Sequence, residues 1–343
     1  MKRGVIRLGI IGCGRATRIH HLPALRRTPE IEVAALADPD PGALAAAARL
    51  APSAALFQDA HELLAHVDAA AVATPTPSHA ELAAAALEAG CAVLLEKPAV
   101  LRLEEGARLA EAAARAGAPV LVGHNARWHS LAVRARGMIA AGRLGRIVGL
   151  RSTYTHAHPP PGEHWHRWRS GGGGVLLNDA VHHFDLWRFL TGAEIESVRC
   201  HTADSSLFED DTASVSARLS NGALATCLLS FSTTAQSEIE IFGERASLLL
   251  SLYRFDGLHL TSRGEYPGSL SFRVREVARF LRALPAGVGE FRRGGGFDAS
   301  YSAMWRHFAG CCRGGAKPLC TLDDGMAAVR AVFACLESAG RRL

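Results

Sequence analysis

The chain has 343 residues, 48% of them hydrophobic and 21% charged, enough for real cores in two domains and too apolar for a disordered protein. Its net charge of +5 is scattered as single arginines, and no segment reaches the ~18 apolar residues of a membrane span, so neither a nucleic-acid nor a membrane partner is expected. The eight cysteines include no C-x-x-C pair, and Arg7 interrupts the opening apolar run before a signal sequence could form; both features predict a reduced, cytoplasmic protein.

The first third alternates strand and helix. "VIRLGIIGCG" is a β-branched run ending in glycines, and a helix is expected from Arg15 to Arg27. "IEVAALAD" (31–38) reads as a strand, 42–51 as a helix and "DAAAVATP" (68–75) as a third strand. "SHAELAAAALEAG" then has a serine in the N-cap position and a closing glycine. "CAVLLEKP", a helix over 104–117 and "PVLVGHN" complete the series. Such alternation predicts βαβ crossovers and a parallel sheet, whose ligands bind beyond the carboxyl ends of the strands.

Gly12-Cys13-Gly14-Arg15-Ala16-Thr17 is a G-x-G-x-x-G turn with threonine in the last place. It follows a strand and opens a helix whose N-terminus can hold a pyrophosphate, so Gly12, Gly14, Arg15, Ala16 and Thr17 are candidate dinucleotide contacts. Asp38 ends the second strand, where a carboxylate accepts from the adenosine ribose hydroxyls and repels a 2′-phosphate. NAD(H) is therefore expected in preference to NADP(H). The alternative for Asp38 is a turn or N-cap role in "ADPDP".

Only three of the 38 basic residues are lysines: Lys2, Lys97 and Lys317. Lys97 stands between Glu96 and Pro98, directly after a buried-strand pattern. An ammonium there can exchange a proton near neutrality, which a guanidinium cannot, and Glu96 can orient it.

Together, "GIIGCG", "HLPAL", "ALADPDP", "VATPTPSHAELAAAALEAG", "VLLEKP", "VGHN" and "GGGGVLLNDAVHHFDLWRFLTG" resemble the glucose-fructose oxidoreductase/inositol dehydrogenase family. The likeness runs almost end to end, weakening at about 155–168 and 263–297. It implies a Rossmann domain over 1–124, then an α/β domain over 125–343 with a large, mostly antiparallel open sheet. Strand-like runs such as "DDTASVSARL" and "ALATCLLSFS", joined at Ser220-Asn221-Gly222, agree independently.

The resemblance also implies an active site between the domains, with Lys97 catalytic, with Thr74, Pro75, His79, Glu96 and Asn125 at the cofactor, and with Arg127 facing substrate. In "GGGGVLLNDAVHHFDLW" two registers compete: chemistry alone favours Asp179 with His183, whereas the family's D-x-x-x-H-x-x-D places His182 at the catalytic histidine, Asn178 in the usual aspartate position and Asp185 in support. Some family members acting on nucleotide-linked or modified sugars resemble this chain in carrying asparagine there, and Asn178, Asp179 and His182 are read as substrate contacts.

"YTHAHPPPGEHWHRWRS" holds His156, His158, His164 and His166. No regular metal pattern is completed, except through Glu163, so no metal is expected; Trp165 and Trp168 are read instead as an aromatic lid on a sugar ring. The expected activity is hydride transfer between nicotinamide and a secondary hydroxyl or ketone of a sugar, inositol or sugar derivative, in a homodimer or homotetramer. Its rivals are a glycosidase using transient C3 oxidation and a non-catalytic dinucleotide sensor.

Overall fold

The structure is a computed structural model describing residues 4–157, 164–291 and 295–343. His158, the three prolines 159–161 and Glu163 of the expected lid lie outside the described residues. The chain divides into two compact units. One runs through Asn125 and also includes Ser170–Gly172 and Tyr301–Arg330; the other comprises Ala126–Arg169, Gly173–Ser300 and Ala331–Leu343.

The first unit is built on a six-stranded parallel sheet: β1 (Ile6–Ile11), β2 (Ile31–Ala37), β3 (Ala55–Phe57), β4 (Ala69–Val72), β5 (Ala92–Leu95) and β6 (Val120–Val122), in the order β3-β2-β1-β4-β5-β6. Every residue of β4, β5 and β6 is buried, as expected of a sheet covered on both faces. The chain leaves β1 on one side for β2 and β3 and returns on the other side for β4, so the switch point lies between the carboxyl ends of β1 and β4.

Three local expectations change. The helix expected from Arg15 opens with a π-helical turn, Thr17–His21, before four α-helical residues, Leu22–Leu25. Ser78 occupies the N-cap of helix His79–Glu88, but its hydroxyl donates to Thr74 Oγ1 and the Pro75 carbonyl instead of accepting from the helix. β3 and the short helix Ala60–Leu64 had no sequence signal, because a three-residue, half-exposed strand shows no readable period.

The second unit carries a seven-stranded sheet: β7 (Ile147–Thr155), β8 (Ile195–Ala203), β9 (Thr212–Leu219), β10 (Leu224–Ser230), β11 (Gln236–Gly243), β12 (Ala246–Ser251) and β13 (Leu258–Ser262), in the order β13-β12-β11-β7-β10-β9-β8. All neighbours are antiparallel except β7 and β10. β9 and β10 form the expected hairpin, with Gly222 at φ +83° where a side chain would be strained. Along β9, Ala213, Val215, Ala217 and Leu219 are buried while Ser214, Ser216 and Arg218 are exposed, so one face of the sheet is the core face. Helix Val181–Thr191 contributes to that core through Trp187, whose indole N–H donates to Ser152 Oγ on β7 at 3.2 Å.

Candidate active site

In the first unit, the glycine turn is set by close approach. Gly12 has φ +98°, and a Cβ on it would stand 2.5 Å from the Ala73 carbonyl oxygen at the end of β4. A Cβ on Gly14 would meet nothing within 4 Å. The first glycine thus serves packing and the second leaves open space in front of the turn, where backbone can approach a pyrophosphate. Thr17 is fully buried and its hydroxyl donates to the Gly12 carbonyl at 2.6 Å, so this side chain braces the turn from behind. Arg15 is exposed.

Asp38 is built into the same turn. Its Oδ2 accepts from Cys13 N at 2.7 Å and its Oδ1 from Asp40 N at 2.9 Å. The helix N-cap is Asp40, which accepts from Gly42 N, leaving Asp38 for another ligand. Burial and the Asp38 charge push the Cys13 thiol up to about 12, so it stays protonated. A fixed carboxylate beside an open glycine turn fits the ribose and pyrophosphate of a dinucleotide.

His79, expected at the cofactor, is 1% exposed. Its ring stands 2.8 Å from the Thr74 carbonyl and 2.8 Å from the Pro98 carbonyl, tying the end of β4 to the end of β5. Burial lowers its pKa, outweighing the two carbonyls. Thr76, beside Thr74 and Pro75, is in turn met by Gly172 at φ +88°, where a Cβ would stand 2.5 Å from the Thr76 hydroxyl.

Lys97 leaves the carboxyl end of β5 half-buried, followed by a cis peptide to Pro98. Glu96 Oε2 accepts from Lys97 N at 3.1 Å and Oε1 lies 3.0 Å from His21 Nε2. Burial alone would raise the Glu96 pKa; the adjacent His21 ring, together with the charge and N–H of Lys97, more than offsets it and holds the carboxyl below its usual range. Asn125 is buried just beyond β6.

In the second unit, the loop–helix segment gives the two histidines different surroundings. A π-helical turn, Leu176–Ala180, precedes helix Val181–Thr191. His183 is buried against the Tyr154 ring, with centroids 5.1 Å apart, and burial brings its pKa down to about 3; it stays neutral. His182 is half-exposed and meets Tyr154 edge-on. Asp179, which chemistry alone paired with His183, instead accepts at 2.8 Å from His156 Nε2 and at 2.9 Å from Asn178 Nδ2.

Arg127 was expected to face substrate. It is buried, and its Nε and Nη2 donate to both Asp185 oxygens, so Asp185 anchors Arg127. Trp165 stacks on His166 and Trp168 is 56% exposed. Among the described residues, no three His, Cys, Asp or Glu side chains gather as a metal site would require.

The oxidoreductase family with an NAD-binding Rossmann fold matches residues 6–124, and the GFO/IDH/MocA C-terminal domain matches 132–249. The chain is 30% identical over 312 residues to inositol 2-dehydrogenase 2 of Saccharopolyspora erythraea, covering 86% of this chain and 89% of the relative. It belongs to the GFO/IDH/MocA oxidoreductases. It is also 26% identical to the NAD(+)-dependent scyllo-inositol 2-dehydrogenase of Bacillus subtilis, over 93% of this chain and 90% of that one. Its fold is similar to that of the WlbA dehydrogenase of Bordetella pertussis, solved with NADH and UDP-GlcNAcA, at a TM-score of 0.84 and 24% identity over 99% and 97% of the two chains.

Within this GFO/IDH/MocA enzyme, two sets of residues had escaped sequence reasoning. His21, in the π-helical turn, is the partner of Glu96; its only signal was the His20-His21 pair before "LPAL". Tyr154 and Tyr253 hydrogen-bond to each other beside Asp179, whose charge joins burial in raising the Tyr253 pKa. With His156 they make a polar, aromatic surround for Asn178 and His182.

Proposed function

We propose that this oxidoreductase transfers a hydride between NAD(H) and a secondary hydroxyl or ketone of a sugar, an inositol or a nucleotide-linked sugar derivative. The reading rests above all on Lys97, set at the carboxyl end of β5 with its own N–H held by the buried Glu96 carboxylate. The named activities of the inositol dehydrogenase relatives, and the nucleotide sugar bound by the WlbA dehydrogenase, support the substrate range.

Gly12, Gly14 and Asp38 would hold the dinucleotide, which supplies the hydride-accepting nicotinamide carbon when bound. In the oxidative direction, Lys97 as the neutral amine takes the hydroxyl proton while the carbon gives up its hydride, so charge and electrons balance. His182 orients the substrate or shares its proton, and Asn178 binds a hydroxyl. With asparagine in the aspartate position, more of the proton transfer falls on Lys97.

Homo-oligomerisation is part of the proposal. Leu270, Val274, Val277, Leu281, Leu284 and Val288 recur every three or four residues along helix Leu270–Phe291 and all are exposed, a stripe that another copy would cover. Light scattering on wild type and Val277→Glu checks this; a monomeric wild type refutes it. The cytoplasm is the proposed compartment, since seven of the eight cysteines are buried and the sequence holds no C-x-x-C pair. Among the described residues no helix is long and apolar enough to cross a membrane.

The test is absorbance at 340 nm with NAD or NADH and a panel of sugars, inositols and nucleotide sugars, with Lys97→Met as control. Turnover absent from that variant supports the reading. Cleavage of an aryl glycoside without net NADH change would replace it with the glycosidase, and dinucleotide binding with no turnover on any substrate would favour the sensor.

A further inference from the structure

We infer that His21 is a positioning residue that sets the proton affinity of Lys97 through Glu96. The inference rests on the reading of Lys97 as the proton-exchanging group and extends it to a residue 76 positions away.

Glu96 has nowhere else to go. One oxygen faces His21 at 3.0 Å, the other takes the Lys97 N–H at 3.1 Å, and behind it Gly123 packs so closely that a Cβ there would stand 2.9 Å from Oε1. The carboxylate is 7% exposed and His21 is completely buried, so water cannot substitute for either partner. His21 is itself fixed, edge-on to Tyr301 at 5.3 Å and to Trp305 at 5.6 Å, in the π-helical turn that immediately follows the cofactor glycines. Titratable groups near this unit include Lys97, His79, which feels the charges of both Glu96 and Lys97, Tyr301 itself, and His20, stacked on the Tyr301 ring.

Either charge state of His21 gives the same sign. A neutral ring with Nε2 turned toward Oε1 stabilises the Glu96 anion, including after Lys97 has lost its proton; a charged ring does so more strongly, by cancelling the carboxylate's charge. Both make deprotonation of Lys97 easier. Removing the ring leaves a buried carboxylate with Lys97 as its main counter-charge, and Lys97 should hold its proton to higher pH.

The scarcity of lysine makes this measurable without turnover. Reductive ¹³C-methylation labels three lysines and the N-terminus, and Lys97→Met identifies the Lys97 resonance. In His21→Phe the Lys97 titration should move up by roughly one pH unit, while His21→Gln, which keeps a donor, should move it less. In a Glu96→Gln background the His21 substitution should move nothing, because the path through the carboxylate is gone; His21→Gln serves for this comparison where His21→Phe folds poorly. The rising limb of the oxidation pH profile should follow the same shift. An unmoved Lys97 titration in folded His21→Phe, or an equal shift with and without Glu96, overturns the inference. A shift without turnover on any substrate leaves the inference standing and removes the proposed activity instead.

Discussion

Arg127 and Asp185 form a forked, buried ion pair: Nε stands 2.8 Å from one carboxylate oxygen and Nη2 2.7 Å from the other, with the Phe189 ring 5.4 Å from the guanidinium carbon. A fork–fork pair has defined geometry, and its burial makes each charge depend on the other.

Arg127→Met or Asp185→Asn should therefore destabilise the fold by about 3–5 kcal/mol, since each leaves a buried group without its partner. Arg127→Lys should rescue only part of this, a point charge being unable to serve both oxygens. Chemical denaturation measures the loss. A raised KM with unchanged stability in Arg127→Lys would instead show the guanidinium to be a substrate ligand.

The two glycines of the cofactor turn should fail differently. Gly12→Ala strains a left-handed backbone and drives a methyl into Ala73, so it should lower stability by roughly 1–3 kcal/mol or more. Gly14→Ala has room for its methyl and should melt like wild type, yet bind NADH at least about tenfold more weakly, about 1.4 kcal/mol. Thermal melts paired with NADH fluorescence titration separate the two.

Asp38→Asn keeps an oxygen for only one of the Cys13 and Asp40 N–H groups and loses the charge. The NADP to NAD ratio of kcat/KM should rise by about tenfold or more, some 1.4 kcal/mol of relieved repulsion. An unchanged ratio would mean that the charge plays no part in cofactor choice.

His182→Ala should reduce kcat by about 10²–10⁴, the range of one lost proton-transfer group, whereas His183→Phe should retain turnover. The buried His183 resists protonation down to about 3, while the unfolded ring titrates at its ordinary 6.5. Its contribution to stability is therefore complete above 6.5 and is lost as pH falls from 6.5 toward 3. Between about pH 7 and pH 5 the wild type should lose about 2 kcal/mol more than His183→Phe, read from urea midpoints at each pH.

What could be read from the sequence was local. Gly12, Gly14 and Asp38 announce themselves because a turn, a strand end and a helix start fall in one short stretch. Lys97 stands out because lysine is rare here. The histidine register could be stated only as two alternatives: i, i+4 spacing presumes an α-helix, and the turn Leu176–Ala180 is π-helical, with Asp179 committed to His156, the residue after β7. His21 with Glu96 and Arg127 with Asp185 are pairings across long stretches of chain, and no period or motif encodes them. The place of His79 at a helix start likewise says nothing of the carbonyls of Thr74 and Pro98 that its ring meets.

The central place of β7 has a consequence for biosynthesis. Both its neighbours, β10 and β11, lie downstream, one parallel and one antiparallel. At 5–20 residues per second a ribosome needs roughly 4–15 s to pass from the end of β7 to the start of β10. During that interval β7 has neither lateral neighbour, and Ile147, Leu150, Ser152 and Thr155, all buried in the finished sheet, stay uncovered. The nascent chain is then most open to association with other chains.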